Sequence, residues 1–285
     1  MVSPQAPQVP TTMSDSSYAF DAPDADVIIR AFLQQGSKGP TVRDFHLHKV
    51  ILSVASTLFH DMFSIPQPPQ PAEGDAALPI IRVTECAGVF ETFLRLIYPI
   101  EPPVIDSLQL VDHLFRLADK YMAKGVHAKL KPILVSPSFL KDDPVWVYAI
   151  ACRANLNKEA KLAIPHTFET DLINGVSRNK LRMMTTESYH RLLVEHSLRR
   201  DRLVNAVDEV YRSQQRWPNN CRCAGGQLKK EIRIQISDKP FLSRKMLEGF
   251  LSEHPSPPWC HSGCVLTSKE SPSFLSDFMR RINEI

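Results

Sequence analysis

Residues 48–63 read His-Lys-Val-Ile-Leu-Ser-Val-Ala-Ser-Thr-Leu-Phe-His-Asp-Met-Phe. Ile51, Val54, Leu58 and Met62 recur at helical spacing, and Val50, Leu52, Phe59 and Phe63 widen the stripe. Spacing of this kind predicts one amphipathic helix over residues 49–63 with a broad buried face. Such a face needs other elements to cover it. His48 and Lys49 form a polar pair at its front, directly after a stretch of alternating residues.

The flanking sequence supplies the covering elements. Asp26 to Phe32 reads as a buried strand, and Gln34-Gln-Gly-Ser-Lys-Gly-Pro40 has turn chemistry. Thr41 to Leu47 alternates, with Arg43, Phe45 and Leu47 on one face, so the two strands form a hairpin. Pro66 to Pro79 is too dense in proline for a helix. Ile80 to Val83 is a third strand, with Thr84 as a cap and Glu85 as a first-turn acid for the next helix. Val89, Phe90, Phe93, Leu94 and Ile97 trace that helix, which stops at Tyr98-Pro99. Leu108 to Met122 is another, and Gly125 to Ile133 a short last one.

The pattern His-Lys-x-x-Leu-x-x-x-Ser-x-x-Phe-x-x-Met-Phe resembles the centre of a BTB/POZ domain. Asp26-Val27, Phe90, Leu94, Ile97-Tyr98 and Leu117-Ala118-Asp119-Lys120-Tyr121 extend the resemblance over residues 24–134. It implies an α+β fold, a small three-stranded sheet capped by helices. An all-α extension follows: a helix over Asp143 to Ala154 with Trp146, Ala149, Ile150, Ala154 and Leu156 on its apolar face, a continuation from Lys158 that ends at Pro165, and helices over Leu181 to Leu193 and Leu198 to Tyr211. This part resembles the BACK-type extensions that follow many BTB domains, and stand-alone fungal BTB proteins in particular. The expected organisation is a disordered tail over 1–20, a BTB/POZ domain over 21–135, a helical extension over 136–215, and a Cys-containing segment over 216–285. That last segment has poor periodicity before Phe274.

The resemblance also implies sites. In this family an Asp on the first strand and a basic residue at the start of the central helix line a charged pocket, which places Asp26 and Lys49 there. The pair reads either as a partner-facing pocket or as an internal tie between strand and helix, and partly buried opposite charges favour the tie. His48 reads as a structural hydrogen-bonder. Members that bind a cullin scaffold carry apolar-x-Glu a few residues after the Met-Phe. Here Ile65-Pro-Gln-Pro-Pro69 stands in that place without an acid, which argues against a cullin as partner. Many members dimerise through an amphipathic helix ahead of the first strand. Residues 13–25 offer only Tyr18 and Phe20 as large apolar groups, so a homodimer has to use the central helices.

Six cysteines in a chain with no secretory signature read as reduced thiols or metal ligands. Cys221-x-Cys223 and Cys260-His261-x-x-Cys264 form two close pairs. Four thiols can build a structural zinc site, with His261 replacing one. The long gap and unusual spacing favour the other reading, non-ligating thiols and no cofactor. Cys86 and Cys152 fall in helical patterns as small core residues. His60-Asp61 and Glu195-His196 read as solvated surface.

A net charge of +3 is too small to imply nucleic acid or an acidic membrane, and Arg199-Arg200-Asp201-Arg202 is too short for a nucleic-acid stripe. No apolar run approaches the roughly 18 residues a membrane span needs. The nucleophile-elbow, phosphate-loop, dinucleotide and zinc-protease motifs are all missing. The expected function is therefore protein–protein interaction as a scaffold or adaptor, in cytoplasm or nucleus, and not catalysis. The alternatives are a substrate adaptor of a cullin-type ubiquitin ligase and a partner-recruited transcriptional regulator.

Overall fold

Alternation along Val27–Phe32 buries Val27, Ile29 and Ala31 and makes this segment β1. In a computed structural model the described residues are 20–33, 42–65, 78–213 and 224–253, with Ser276, Met279 and Arg280. The expected tail, apart from Phe20, the turn over 34–40 and the Pro-rich loop over 66–77 lie outside them. The described residues fall into two compact units that divide between Ile133 and Leu134.

In the first unit β2 (Val42–Leu47) pairs antiparallel with β1, placing Phe45 opposite Ile29 and Leu47 opposite Val27. β3 (Ile80–Cys86) pairs parallel on the other side, giving a three-stranded sheet of order β2-β1-β3. A parallel return needs a long crossover, and the segment containing the central helices supplies it.

That segment differs from the single helix expected. It forms α1 (Lys49–Ala55) and α2 (Thr57–Ser64), broken at Ser56, which adopts extended backbone. Ser56 is buried; its hydroxyl accepts from the Phe59 amide at 3.1 Å and donates to the Tyr121 carbonyl at 2.5 Å. The hydroxyl caps α2 and ties the break to the core.

β3 also runs further than expected. Thr84 and Glu85 belong to the strand, and Cys86 is the N-cap of α3 (Ala87–Ile97) without a side-chain cap bond. Glu85 instead accepts from the Tyr121 hydroxyl at 2.9 Å and from the Lys120 ammonium. α4 (Leu108–Lys120) starts at Ser107, whose hydroxyl accepts from the Leu110 amide, and α5 (Lys124–Leu134) follows. The core is aromatic at its centre. Tyr121 stacks on Phe59 at 4.9 Å and lies 5.4 Å from Phe93 and 6.0 Å from Phe90, ring centre to ring centre. Leu52, Phe59 and Phe93 are buried, as a shared interior requires.

The described residues of the second unit form helices and no strand: α6 (Pro137–Asp142), α7 (Pro144–Arg153), α8 (Asn157–Thr167), α9 (Arg178–Met183), α10 (Thr186–Ser213), α11 (Ala224–Asp238) and α12 (Arg244–Glu253). Asp143 caps α7 by accepting from the Trp146 amide at 3.0 Å. Trp146 is only half-buried, whereas Val145 and Val147 to Ala151 are all buried, so α7 is enclosed rather than one-faced. Pro165 lies inside α8 instead of ending it. Of the two helices expected over 181–193 and 198–211, Leu181 to Met183 end α9, and from Thr186 onward the two are one helix, α10. α11 and α12 occupy ground expected to be irregular, and bury Ile232, Ile236 and Leu247. Among the described residues no helix is long and apolar enough to cross a membrane.

Candidate interaction surface

α1 lacks a side-chain cap of its own, because His48 at its N-cap makes no such bond and its first turn has no acid. Its first amide is satisfied from across the fold. The Lys49 backbone N–H donates to Asp26 Oδ1 at 2.7 Å, while the Asp26 amide donates to the Leu47 carbonyl. A carboxylate at a helix N-terminus meets both the open amide and the positive end of the dipole.

Asp26, His48 and Lys49 are thus brought together, but Asp26 is exposed, not a partly buried charge, and its carboxylate accepts from a backbone amide. His48 is held twice. Its amide donates to the Tyr98 hydroxyl at 2.9 Å, and its Nε2 lies 3.2 Å from Asp24 Oδ1. The hydrogen bond from His48, more than any other contact, keeps the Asp24 carboxyl below the usual carboxylate range. Burial raises the Tyr98 hydroxyl, which keeps it protonated. Asp24 carried no recognisable role in the sequence, and Tyr98 entered only as a helix stop and as part of the family pattern, since contacts across a fold leave no periodic mark.

Beside this junction lies an apolar face. Val50 and Val54 are 68% and 86% exposed, one helical turn apart on α1. Leu58 on α2 and Ile65 beyond it are exposed too, whereas Leu52 is fully buried. The broad stripe expected from residues 50–63 therefore has two sides. Residues two apart on a helix face opposite ways, and Val50 and Val54 stand opposite Leu52. That opposition was the available signal; the break at Ser56 was not legible from spacing.

The remaining candidates behave differently. His60 and Asp61 are exposed, as expected, but His196 is buried. Its Nε2 lies 2.9 Å from the Thr167 hydroxyl and its ring meets Phe168 edge-on at 5.1 Å. An apolar stripe shared with Leu192, Leu203 and Val207, all buried on α10, draws it inward. Cys86 and Cys152 are free and half-buried. Cys221, Cys223, Cys260, Cys264 and His261 lie outside the described residues. Among the described residues no three His, Cys, Asp or Glu side chains gather as a metal site.

A family model for the BTB/POZ domain matches residues 39–138. The match takes in β2, α1 to α5 and β3, and begins after β1. No curated protein matches the chain.

Proposed function

The chain carries a BTB/POZ domain, a member of a family of protein–protein interaction modules, and from this premise we propose that it is a scaffold or adaptor that self-associates through the exposed face of α1 and α2. Val50 and Val54 carry the reading. Two bare valines on one helix face, in a segment that also exposes Leu58 and Ile65, offer an apolar surface that a second copy can cover. The described residues before β1 support the same choice. Phe20 is folded inward against Phe45 and Tyr98, so it is spent on the core. The role is non-catalytic, in keeping with a sequence that has no catalytic motif. A cullin scaffold is not the proposed partner, because the residues after Phe63 supply no acid.

Sedimentation of the full chain tests this. The wild type is expected to be dimeric at micromolar concentration, and Val54→Asp monomeric with an unchanged far-ultraviolet circular dichroism spectrum. A monomeric wild type, or a dimer untouched by both Val50→Asp and Val54→Asp, overturns the proposal.

A further inference from the structure

Asn174-Gly175 is the only Asn-Gly pair in the sequence, and it sits in an exposed turn between α8 and α9. Asn-Gly is chemically vulnerable, because glycine has no side chain to hinder its own backbone nitrogen from attacking the preceding carboxamide. The turn gives glycine no substitute here. A Cβ at position 175 would lie 2.6 Å from the Asp171 carbonyl oxygen, closer than real Cβ atoms come. The fold thus requires the residue that makes Asn174 labile.

One residue occupies both reacting groups. The Gly175 amide donates to the Asp171 carbonyl at 2.8 Å. The Asn174 Nδ2 donates to Asp171 Oδ2 at 3.0 Å. The other carboxylate oxygen accepts from the Ile173 and Asn174 amides at 2.9 and 3.1 Å. The turn is anchored below by buried Leu172, whose carbonyl accepts from the Tyr189 hydroxyl at 2.9 Å. The attacking nitrogen and the leaving amide are therefore each held in a bond that reaction must break.

The geometry points to Asn174-Gly175 as a latent self-modification site that Asp171 keeps closed while the turn is intact. When the turn opens, the Gly175 nitrogen gives up its proton to solvent and attacks Asn174 Cγ. The new C–N bond closes a succinimide, and Nδ2 leaves as ammonia after taking a proton. Water then opens the ring at either carbonyl, leaving aspartate or isoaspartate at position 174. Either product places a second carboxylate where an amide donor now meets Asp171, and two like charges at that distance repel. Isoaspartate also lengthens the backbone by one atom. The closed turn cannot re-form on either product, so one slow reaction alters the surface around exposed Ile173 for good.

Incubation of the full chain at pH 7.4 and 37 °C, followed by proteolysis and mass spectrometry, tests the lock. Deamidation of Asn174 in the folded wild type is expected to be at least about tenfold slower than in the synthetic peptide of residues 169–179, a barrier difference of ~1.4 kcal/mol. Asp171→Ala frees the Asn174 carboxamide but leaves the Asp171 carbonyl on the Gly175 amide, so it is expected to move the rate part of the way to the peptide's; Asn174→Ser is expected to remove the product. Should Asp171→Ala unfold the unit, wild type in urea serves as the open reference. Equal rates in folded protein and peptide overturn the lock; a peptide that does not deamidate overturns the site.

Discussion

The Ser56 hydroxyl donates to the backbone carbonyl of Tyr121 at 2.5 Å, joining the break between α1 and α2 to the end of α4. The Tyr121 ring stacks on Phe59, so one residue receives both the break and the first buried side chain after it. Burial and the neighbouring Glu85 raise the Tyr121 hydroxyl, which therefore remains a donor to that carboxylate. Phe59→Ala is expected to destabilise the first unit by roughly 3–5 kcal/mol through the cavity it leaves. Ser56→Ala is expected to cost about 1–3 kcal/mol, because the Tyr121 carbonyl and the Phe59 amide both lose their partner. Denaturant melts followed by circular dichroism measure both. A loss below about 1 kcal/mol for Phe59→Ala contradicts the packing.

The contact between Asp26 and the Lys49 amide makes a sharper distinction than an ion pair would. If the bond is to the backbone, Lys49→Ala leaves it in place. Asp26→Ala is expected to cost about 1 kcal/mol, the usual value of a lost helix cap. Lys49→Ala is expected to stay within about 0.5 kcal/mol, as surface substitutions do. A double-mutant cycle in urea checks this. A large coupling between the two side chains points to a charge pair instead.

Local patterns carried the sheet and several of the helices, since alternation and helical spacing reflect which face is buried. Val27, Ile29, Phe45 and Leu47 alternate as they are buried, and α3 and α4 follow their apolar stripes. What spacing missed was decided across the fold. Ser56 breaks a continuous stripe because its hydroxyl is claimed by Tyr121, 65 residues away. Glu85 stays in a strand because Tyr121 and Lys120 hold it there. Pro165 sits within α8, and residues 181–211 do not contain the break expected of them, because tertiary packing outweighs single-residue propensity. His196 read as surface because its neighbour is charged. Its own helical face, shared with Leu192 and Leu203, decided its burial.

The paired cysteines pose a question of composition that metal analysis answers directly. Cys221, Cys223, Cys260 and Cys264 are proposed to be reduced and non-ligating, given their unusual spacing. Protein purified without chelator is expected to carry less than about a tenth of an equivalent of zinc, since a structural site binds its metal stoichiometrically. One equivalent, lost in Cys260→Ser, establishes the zinc reading in its place.

His196 makes the second unit sensitive to mild acid. Burial, with a smaller contribution from the Arg200 charge, lowers its imidazole from the ordinary 6.5 to about 4. The folded unit therefore keeps His196 neutral while the unfolded chain protonates it. Between those two values the unfolded state binds more protons, so stability falls as pH drops from about 6.5 to about 4 and changes no further on this account below that. The loss approaches, on the order of, 3 kcal/mol across the window. Asp208 and Asp171, held below the usual carboxylate range, lose their contributions only at lower pH. Trp146 belongs to this unit and residues 1–133 contain no tryptophan, so tryptophan fluorescence carries no signal from the first unit. Urea melts at pH 7, 5.5 and 4.5 are expected to show falling midpoints in the wild type and a flatter dependence in His196→Gln. A wild type whose midpoint holds steady from pH 7 to 4.5 contradicts a neutral, buried His196.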